Sequence, residues 1–114
     1  MSKLLDLFSL QGKVVVITGA TGLLGRKHAE AVACYGGIPV LIDLSQKAID
    51  DFVSELNKKY KVSSLGFAID ITNEEAIRNN ANQLVEKFGK IDGLVNNAAN
   101  NPKVEESSDK NFSR

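Results

Sequence analysis

The sequence predicts an α/β protein in which a parallel sheet lies between two layers of helices. Two observations carry this prediction. Short apolar runs alternate with segments of helical spacing in the order β-α-β-α-β-α-β, and a glycine-rich turn directly follows the first apolar run. Such alternation implies parallel strands joined by right-handed crossovers. We expect the strand order 3-2-1-4, which is the first half of a doubly wound sheet.

The composition is that of one soluble globular domain. The chain has 114 residues, 43% of them hydrophobic, and its 14 basic residues balance 14 acidic ones. A net charge of zero argues against nucleic acid or an acidic membrane surface as a partner. One cysteine excludes an internal disulfide and a cysteine-rich zinc site, and it fits a reducing compartment. No apolar run reaches the ~18 residues of a membrane helix, and the N-terminus lacks the pattern of a signal peptide. We therefore expect a cytoplasmic protein.

The first two predicted strands flank a helix. Residues 14–17 form a β-branched run typical of a strand buried on both faces, and residues 40–42 predict the second strand. Between them the spacing predicts a helix over residues 26–35, which two consecutive glycines end. The apolar side of this helix is expected to comprise Leu24, Ala31 and Cys34, with Leu23 and His28 near its edges. Cys34 is therefore an expected core residue, and His28 an expected packed or solvent-edge side chain without metal partners.

The remaining elements follow the same alternation. Ser45 is placed to cap a second helix that runs to about residue 60, and residues 65–69 predict the third strand. The segment Thr72–Glu75 fits a capping box that opens a third helix reaching about residue 88. Residues 91–95 predict the fourth strand, which is an open edge in this strand order. Because such an edge carries Leu94, we expect the 114 residues alone to associate or aggregate.

The segment Thr18–Gly25 lies between the first strand and the first helix, which is the context that makes glycine spacing informative. Gly19 suits a tight turn out of the strand, Gly22 a close approach of the backbone to a pyrophosphate, and Gly25 tight packing of the helix on the sheet. The helix N-terminus then offers free N–H groups to phosphates. The alternative is a plain tight turn. A nucleoside-triphosphate loop is excluded, because no Gly-Lys-Ser/Thr follows.

Two aspartates end predicted strands at the same edge of the sheet. Asp43 follows the second strand, 24 residues after Gly19, where a carboxylate accepts both ribose hydroxyls of an adenosine and repels a 2′-phosphate. No basic residue stands beside it, so NAD is favoured over NADP. Asp70 ends the third strand and is a candidate acceptor for the adenine amino group, with the Ile71 N–H facing a ring nitrogen. The alternatives are ordinary turn or cap aspartates.

These segments, together with Asn96-Asn97-Ala98-Ala99 after the fourth strand, resemble the short-chain dehydrogenase/reductase family over residues 10–99. The resemblance implies a Rossmann-type dinucleotide-binding half-domain over residues 1–99, with residues 100–114 a polar loop. It also implies that Asn96 braces the central strands. The cofactor-binding residues implied are Gly19, Thr21, Gly22, Leu23, Leu24, Gly25, Asp43, Leu44, Asp70, Ile71, Asn97, Ala98 and Ala99.

Two departures from the family pattern bear on chemistry. Glycines at 19, 22 and 25 follow the spacing of extended members, many of them nucleotide-sugar epimerases or dehydratases, whereas the Asn-Asn-Ala-Ala run favours ordinary dehydrogenases. The family's catalytic Ser and Tyr-x-x-x-Lys are also absent, because the only tyrosines are Tyr35 and Tyr60 and neither stands in that motif. We therefore expect no catalytic residue in this chain, and expect it to be the truncated cofactor-binding part of a longer enzyme, inactive alone.

The resemblance implies an oxidoreductase that transfers hydride between a nicotinamide cofactor and an alcohol or carbonyl substrate, with a sugar or nucleotide sugar among the options. It also implies a homo-oligomer, either a dimer or a tetramer. Two alternatives stay open: an extended-type epimerase or dehydratase, and a non-catalytic dinucleotide-binding module.

Overall fold

The computed structural model describes residues 9–97, which form one four-stranded parallel sheet and three helices. The elements are β1 (Val14–Thr18), α1 (Leu23–Cys34), β2 (Ile38–Asp43), α2 (Gln46–Tyr60), β3 (Leu65–Ala68), α3 (Glu74–Phe88) and β4 (Gly93–Asn96). The strand order is β3-β2-β1-β4, with every neighbouring pair parallel. This confirms the fold class and the strand order that the sequence predicts. None of the helices in residues 9–97 has the length and apolar character needed to cross a membrane.

Each face of the sheet carries its own core, because successive side chains of a strand point to opposite faces. Ile17 and Leu41 pack with Phe52 of α2 and with small residues of α1 on one face. Val16 and Val40 pack with α3 on the other. The central strands β1 and β2 are therefore covered on both sides, as their β-branched sequences predict. This double burial fixes the ends of the central strands, from which the candidate site is built.

The first helix buries a different side from the one that the sequence predicts. Its buried residues are Gly25, Ala29, Val32 and Ala33, and it begins at Leu23. Leu23 is 81% exposed and Leu24 58% exposed, and the free thiol of Cys34 is also exposed. The expectation of a Leu24–Ala31–Cys34 core face, and of Cys34 as a core residue, is therefore wrong. Small residues at intervals of four let α1 approach the sheet closely, and a face of small residues is not marked by large apolar side chains in the sequence.

The third helix is capped one residue later than predicted. The Asn73 side chain accepts a hydrogen bond from the Ala76 amide at 3.0 Å and is the N-cap, so the prediction of Thr72 as the cap is wrong. The Thr72 hydroxyl instead donates a hydrogen bond to Asp70 Oδ1. The cap of α2 is as predicted, because the Ser45 side chain accepts from the Ala48 amide at 3.2 Å.

Strand β4 is one of the two edge strands of the sheet in the described residues, and Leu94 on it is 65% exposed. The strand begins at Gly93 and not at the predicted Ile91. The Asp92 side chain, just before the strand, contacts the beginning of β1. Its carboxylate accepts a hydrogen bond from the Val14 amide at 2.8 Å and lies 3.0 Å from Lys90. The Val14 amide, followed by Lys90, lowers the pKa of Asp92 below its usual value. Asp92 therefore fastens the beginning of β4 to the beginning of β1.

Candidate functional site

The carboxyl ends of the four strands lie at one edge of the sheet. Every described residue of the predicted cofactor set lies at a strand end, in the loop that follows it or in the first turn of α1. Ligands of open α/β sheets bind at this edge. Ala98 and Ala99, which the resemblance also places in the cofactor set, lie outside the described residues, as does the polar segment 100–114.

The glycine turn is a compact loop that only glycine permits at two of its positions. Gly19 has a φ of 61°, in the left-handed region that glycine adopts at low cost. The Gly22 amide donates to the Gly19 carbonyl at 3.1 Å, and the Ala20 amide donates to the Ile42 carbonyl at 3.2 Å. A Cβ on Gly25 would lie 2.1 Å from the Gly19 carbonyl oxygen. The absence of a side chain at Gly25 therefore lets α1 pack directly on the turn, as the sequence predicts.

The N-terminus of α1 opens into this turn without a side-chain cap. Gly22 is the N-cap, no side chain accepts from the first amides, and no acidic residue stands in the first turn. The first amides of a helix have no partner within it, and the helix dipole makes this end electropositive. The side chains of Leu23 and Leu24, at the start of the helix, are exposed to solvent. The arrangement suits an anion such as a pyrophosphate.

Asp43 joins the end of β2 to the glycine turn. Its Oδ2 accepts hydrogen bonds from the Thr21 hydroxyl at 2.7 Å and from the Thr21 amide at 2.9 Å, and its Oδ1 accepts from the Leu44 amide at 2.8 Å. Partial burial raises the pKa of Asp43, but these three hydrogen bonds outweigh burial, and the net pKa lies below its usual value. Asp43 therefore carries its negative charge at neutral pH, beside the glycine turn.

Asp70 forms a local turn after β3. Its Oδ1 accepts from the Thr72 hydroxyl at 2.7 Å and from the Thr72 amide at 2.9 Å, and these bonds lower the pKa of this exposed carboxyl. Ile71, between them, is 39% exposed, and Leu44 on the neighbouring loop is 70% exposed. Two exposed apolar side chains thus stand on adjacent loops at the same edge, where they are able to cover the faces of a flat aromatic ring.

The end of β4 is fixed by Thr18. The Thr18 hydroxyl donates to Asn96 Oδ1 at 2.7 Å and accepts from the Asn97 amide at 3.1 Å. Asn96 therefore braces β1 against β4, in agreement with the role that the resemblance implies. The Asn97 side chain is held in turn, because its Nδ2 lies 2.9 Å from Nδ1 of His28 on α1.

Sequence reasoning missed the roles of Thr18 and His28. Thr18 begins the glycine-rich segment and His28 lies three residues after Gly25, but their partners are 78 and 69 residues away in the chain. No local pattern marks either pairing. Among residues 9–97 there is no group of three or more His, Cys, Asp or Glu side chains able to hold a metal ion.

A largely apolar cavity of about 350 Å³ lies between α3 and the sheet face that β1, β2 and β4 form. Ile71 and Asn96 line it at the candidate site, and Leu84 and Ile91 line it further down. Asn80 faces the same cavity, and its side chain is buried with an Nδ2 that has no hydrogen-bond partner among the described residues.

The parallel sheet, the uncapped helix behind a glycine turn and the strand-end aspartate define a dinucleotide-binding α/β protein. The family described as short chain dehydrogenase matches residues 13–114, and the chain belongs to this family.

Two named relatives are similar to most of this chain. A sorbose reductase of Candida albicans is 37% identical over 97 residues, covering 85% of this chain and 34% of that protein. A 15-hydroxyprostaglandin dehydrogenase of Bos taurus, named as using NAD(+), is 34% identical over 93 residues, covering 81% of this chain and 35% of that protein.

A solved structure of L-sorbose reductase from Gluconobacter frateurii, in complex with NADPH and L-sorbose, is 30% identical with a TM-score of 0.77. The match covers 90% of this chain and 40% of that one. The chain spans about a third of the length of the curated relatives it matches. These relatives include users of NADP as well as of NAD.

Proposed function

We propose that this chain forms the dinucleotide-binding part of an oxidoreductase that prefers NAD and transfers hydride to or from an alcohol or carbonyl substrate. The observation that carries the proposal is the Asp43 carboxylate, held at the end of β2 by the hydroxyl and amide of Thr21 in the glycine turn. A fixed negative charge thus stands beside an electropositive helix end. An adenosine diphosphate, with its neutral ribose hydroxyls and charged pyrophosphate, complements that pair of features.

The residues present fit such a group. The turn from Gly19 to Gly25 and the first amides of α1 would hold the pyrophosphate. A carboxylate has about four acceptor positions, and three hydrogen bonds already reach Asp43, so capacity remains for a ribose hydroxyl. A 2′-phosphate would instead place a second negative charge against Asp43. This repulsion supports the preference for NAD, even though several named relatives use NADP.

The other cofactor contacts come from the neighbouring loops. Leu44 and Ile71 would cover the two sides of the adenine, with Asp70 accepting from its amino group. Asn97, Ala98 and Ala99 would pass beside the riboses. The nicotinamide ring, when bound, supplies or accepts the hydride. We assign no substrate-activating residue to this chain, whose proposed work is to bind and orient the dinucleotide.

The names of the relatives support a small hydroxylated substrate. They include mannitol dehydrogenases, sorbose reductases and a meso-2,3-butanediol dehydrogenase. We propose a polyol, a sugar or the corresponding ketone. Nucleotide-sugar epimerisation is the second candidate, favoured by the spacing of Gly19, Gly22 and Gly25. Oxidation of a polyol with release of free NADH would support the first, and epimerisation without release of NADH the second.

We further propose a cytoplasmic homo-oligomer. The free and exposed thiol of Cys34 suits a reducing compartment. The edge strand β4, with its exposed Leu94, supports association of this face. Sedimentation of the purified protein tests the oligomer, and a monomer at micromolar concentration would contradict it.

Titration of the protein with NADH and with NADPH, followed by nicotinamide fluorescence, tests the cofactor proposal. We expect NADH to bind about tenfold more tightly, which corresponds to about 1.4 kcal/mol. Asp43→Asn should reduce this ratio towards one, because the charge on Asp43 is removed while an oxygen remains to accept from Thr21. Asp51→Asn is the matched control, since Asp51 is an exposed carboxylate on α2 paired with Lys47. Preference of the unaltered protein for NADPH, or binding of neither dinucleotide, would refute the proposal.

A further inference from the structure

His28 and Asn97 form a hydrogen-bonded pair at the candidate site that none of the predicted roles uses. Asn97 Nδ2 lies 2.9 Å from His28 Nδ1, and the pair is partly buried. We infer that His28 is a positioning residue: it fixes the orientation of the Asn97 amide, so that Asn97 Oδ1 faces the bound dinucleotide. This inference rests on the proposed function of the site.

The main chain of Asn97 is already fixed without His28. Its amide donates to the Thr18 hydroxyl at 3.1 Å and to the Thr18 carbonyl at 3.3 Å. What these bonds leave undecided is the rotation of the Asn97 side chain, which has two rotatable bonds. The contact with His28 settles this rotation, because it engages one end of the side-chain amide.

The amide end that meets His28 decides which end is left for a ligand. Nδ2 is a donor only, so the Nδ1 atom that it meets must be the acceptor, and the ring proton then resides on Nε2. With Nδ2 engaged, Oδ1 occupies the other arm of the planar amide and is directed away from the ring. An oxygen there accepts from a hydroxyl, which is the group that a cofactor ribose offers. A reversed amide would present a donor instead and leave Oδ1 against the His28 ring.

The pair also connects two elements that the sheet does not join directly. α1 packs on β1 and β2, whereas Asn97 follows β4, the edge strand. Among the side-chain hydrogen bonds described for residues 9–97, the His28–Asn97 contact is the one that ties α1 to the end of β4. The contact therefore fixes the distance between the N-terminal end of α1, which would bind the pyrophosphate, and Asn97, which would contact a ribose.

Three substitutions of His28 separate positioning from mere packing. His28→Leu keeps a side chain of similar bulk but removes the acceptor, and we expect NADH to bind about three- to tenfold more weakly. His28→Asn restores an acceptor near the position of Nδ1 and should recover most of that loss. His28→Gln carries its amide one bond further from the main chain and should not recover it. Lys27→Leu, on an exposed position of the same helix, is the control expected to bind NADH as the unaltered protein does.

A double-mutant cycle tests whether His28 acts through Asn97. With Asn97→Ala present, His28→Leu should weaken NADH binding no further, because the amide that His28 positions is gone. Additive losses would overturn the inference and give His28 a separate role. Nitrogen NMR of the His28 ring in the full chain should show the proton on Nε2. A ring protonated on Nδ1 alone would contradict the geometry, whatever the variants do to folding.

The binding results distinguish failure of the proposed function from failure of the role inferred for His28. If the unaltered protein binds neither NADH nor NADPH, the proposed function fails. If it binds NADH and His28→Leu binds it equally well, the proposed function stands and the role of His28 is refuted.

Discussion

Replacement of Gly25 by alanine tests whether the close contact between α1 and the glycine turn holds the site together. A Cβ on Gly25 would lie 2.1 Å from the Gly19 carbonyl oxygen, 2.8 Å from the Gly19 carbonyl carbon and 2.9 Å from the Ala20 Cα. All three neighbours are main-chain atoms, so no side-chain rotation relieves the overlap. The helix must move away from the turn by about 1 Å before these contacts become ordinary.

The expected cost follows from two opposing effects. Overpacking of this kind costs about 1–3 kcal/mol, and more where the backbone itself must shift. Alanine gains at most about 1 kcal/mol over glycine in helix propensity. We therefore expect Gly25→Ala to lower the free energy of unfolding by about 2 kcal/mol. It should also weaken NADH binding, because the displaced helix carries the amides that would meet the pyrophosphate.

Urea unfolding followed by circular dichroism measures the effect. Gly93→Ala is the matched control, because a Cβ there meets only the Val15 methyl groups at 3.8 and 3.9 Å. This control should unfold within about 0.5 kcal/mol of the unaltered protein, since such distances are ordinary contacts. The reasoning would be refuted if Gly25→Ala were as stable as the control.

Four further outcomes are expected. Asn80→Leu should raise the free energy of unfolding by about 1–3 kcal/mol, because it removes a buried Nδ2 without a partner among the described residues; lower stability in urea would indicate a hidden partner. Asn73→Ala should lower the free energy of unfolding by about 1 kcal/mol, because α3 loses its N-cap. Thr72→Val should lower it by less, and equal losses would speak against Asn73 as the cap. Asp51→Asn should change the free energy of unfolding by less than about 0.5 kcal/mol, since the ion pair of Asp51 with Lys47 is exposed. A larger loss of stability on thermal melting would contradict this expectation. The pKa of Asp43 lies below its ordinary 3.8 in the folded protein, so its stabilising contribution is present above that pH and is lost as the pH falls through the lower folded-state value. Acid unfolding of Asp43→Asn should accordingly depend less on pH below about 4 than that of the unaltered protein, and identical profiles would exclude this contribution.

The strand order and the approximate positions of the elements could be predicted because their causes are local or topological. Residues 14–17 are a β-branched run that only a doubly covered strand accommodates, and Ser45 caps α2 as its type suggests. Gly25 also behaves as predicted, since a helix leaving a tight turn needs a residue without a side chain at that distance. Local spacing, together with the handedness of crossovers, was sufficient for these features.

Errors arose where a side chain could serve more than one purpose. Thr72 has the residue type of a cap, but Asp70 lies two residues away and engages its hydroxyl, so Asn73 becomes the cap. On α1 the sheet selects small residues for close approach, which leaves Leu24 and Cys34 outside. Neither competition can be resolved from spacing alone, because both depend on which atoms come within hydrogen-bond or packing distance.

The contacts of the candidate site were the least predictable part. The position of Asp43 at a strand end follows from the sequence, but its attachment to Thr21 depends on how the turn folds back over β2. The approach of His28 to Asn97 depends on the pairing of β1 with β4 and on the seating of α1. Distances of this kind exist only once the sheet has formed.

The attachment of β4 to β1 has a consequence for the order of folding. β1 pairs with β2 across roughly 24 residues of chain, whereas its pairing with β4 closes a loop of 78 residues, from Val14 to Asp92. Closing the longer loop costs about 1 kcal/mol more in chain entropy, so this pairing is expected to form late. Asn97 reaches Thr18 and His28 only at that step. A dinucleotide that also contacts Asn97 would therefore bind more tightly to molecules that have completed this step, and by mass action would favour that state.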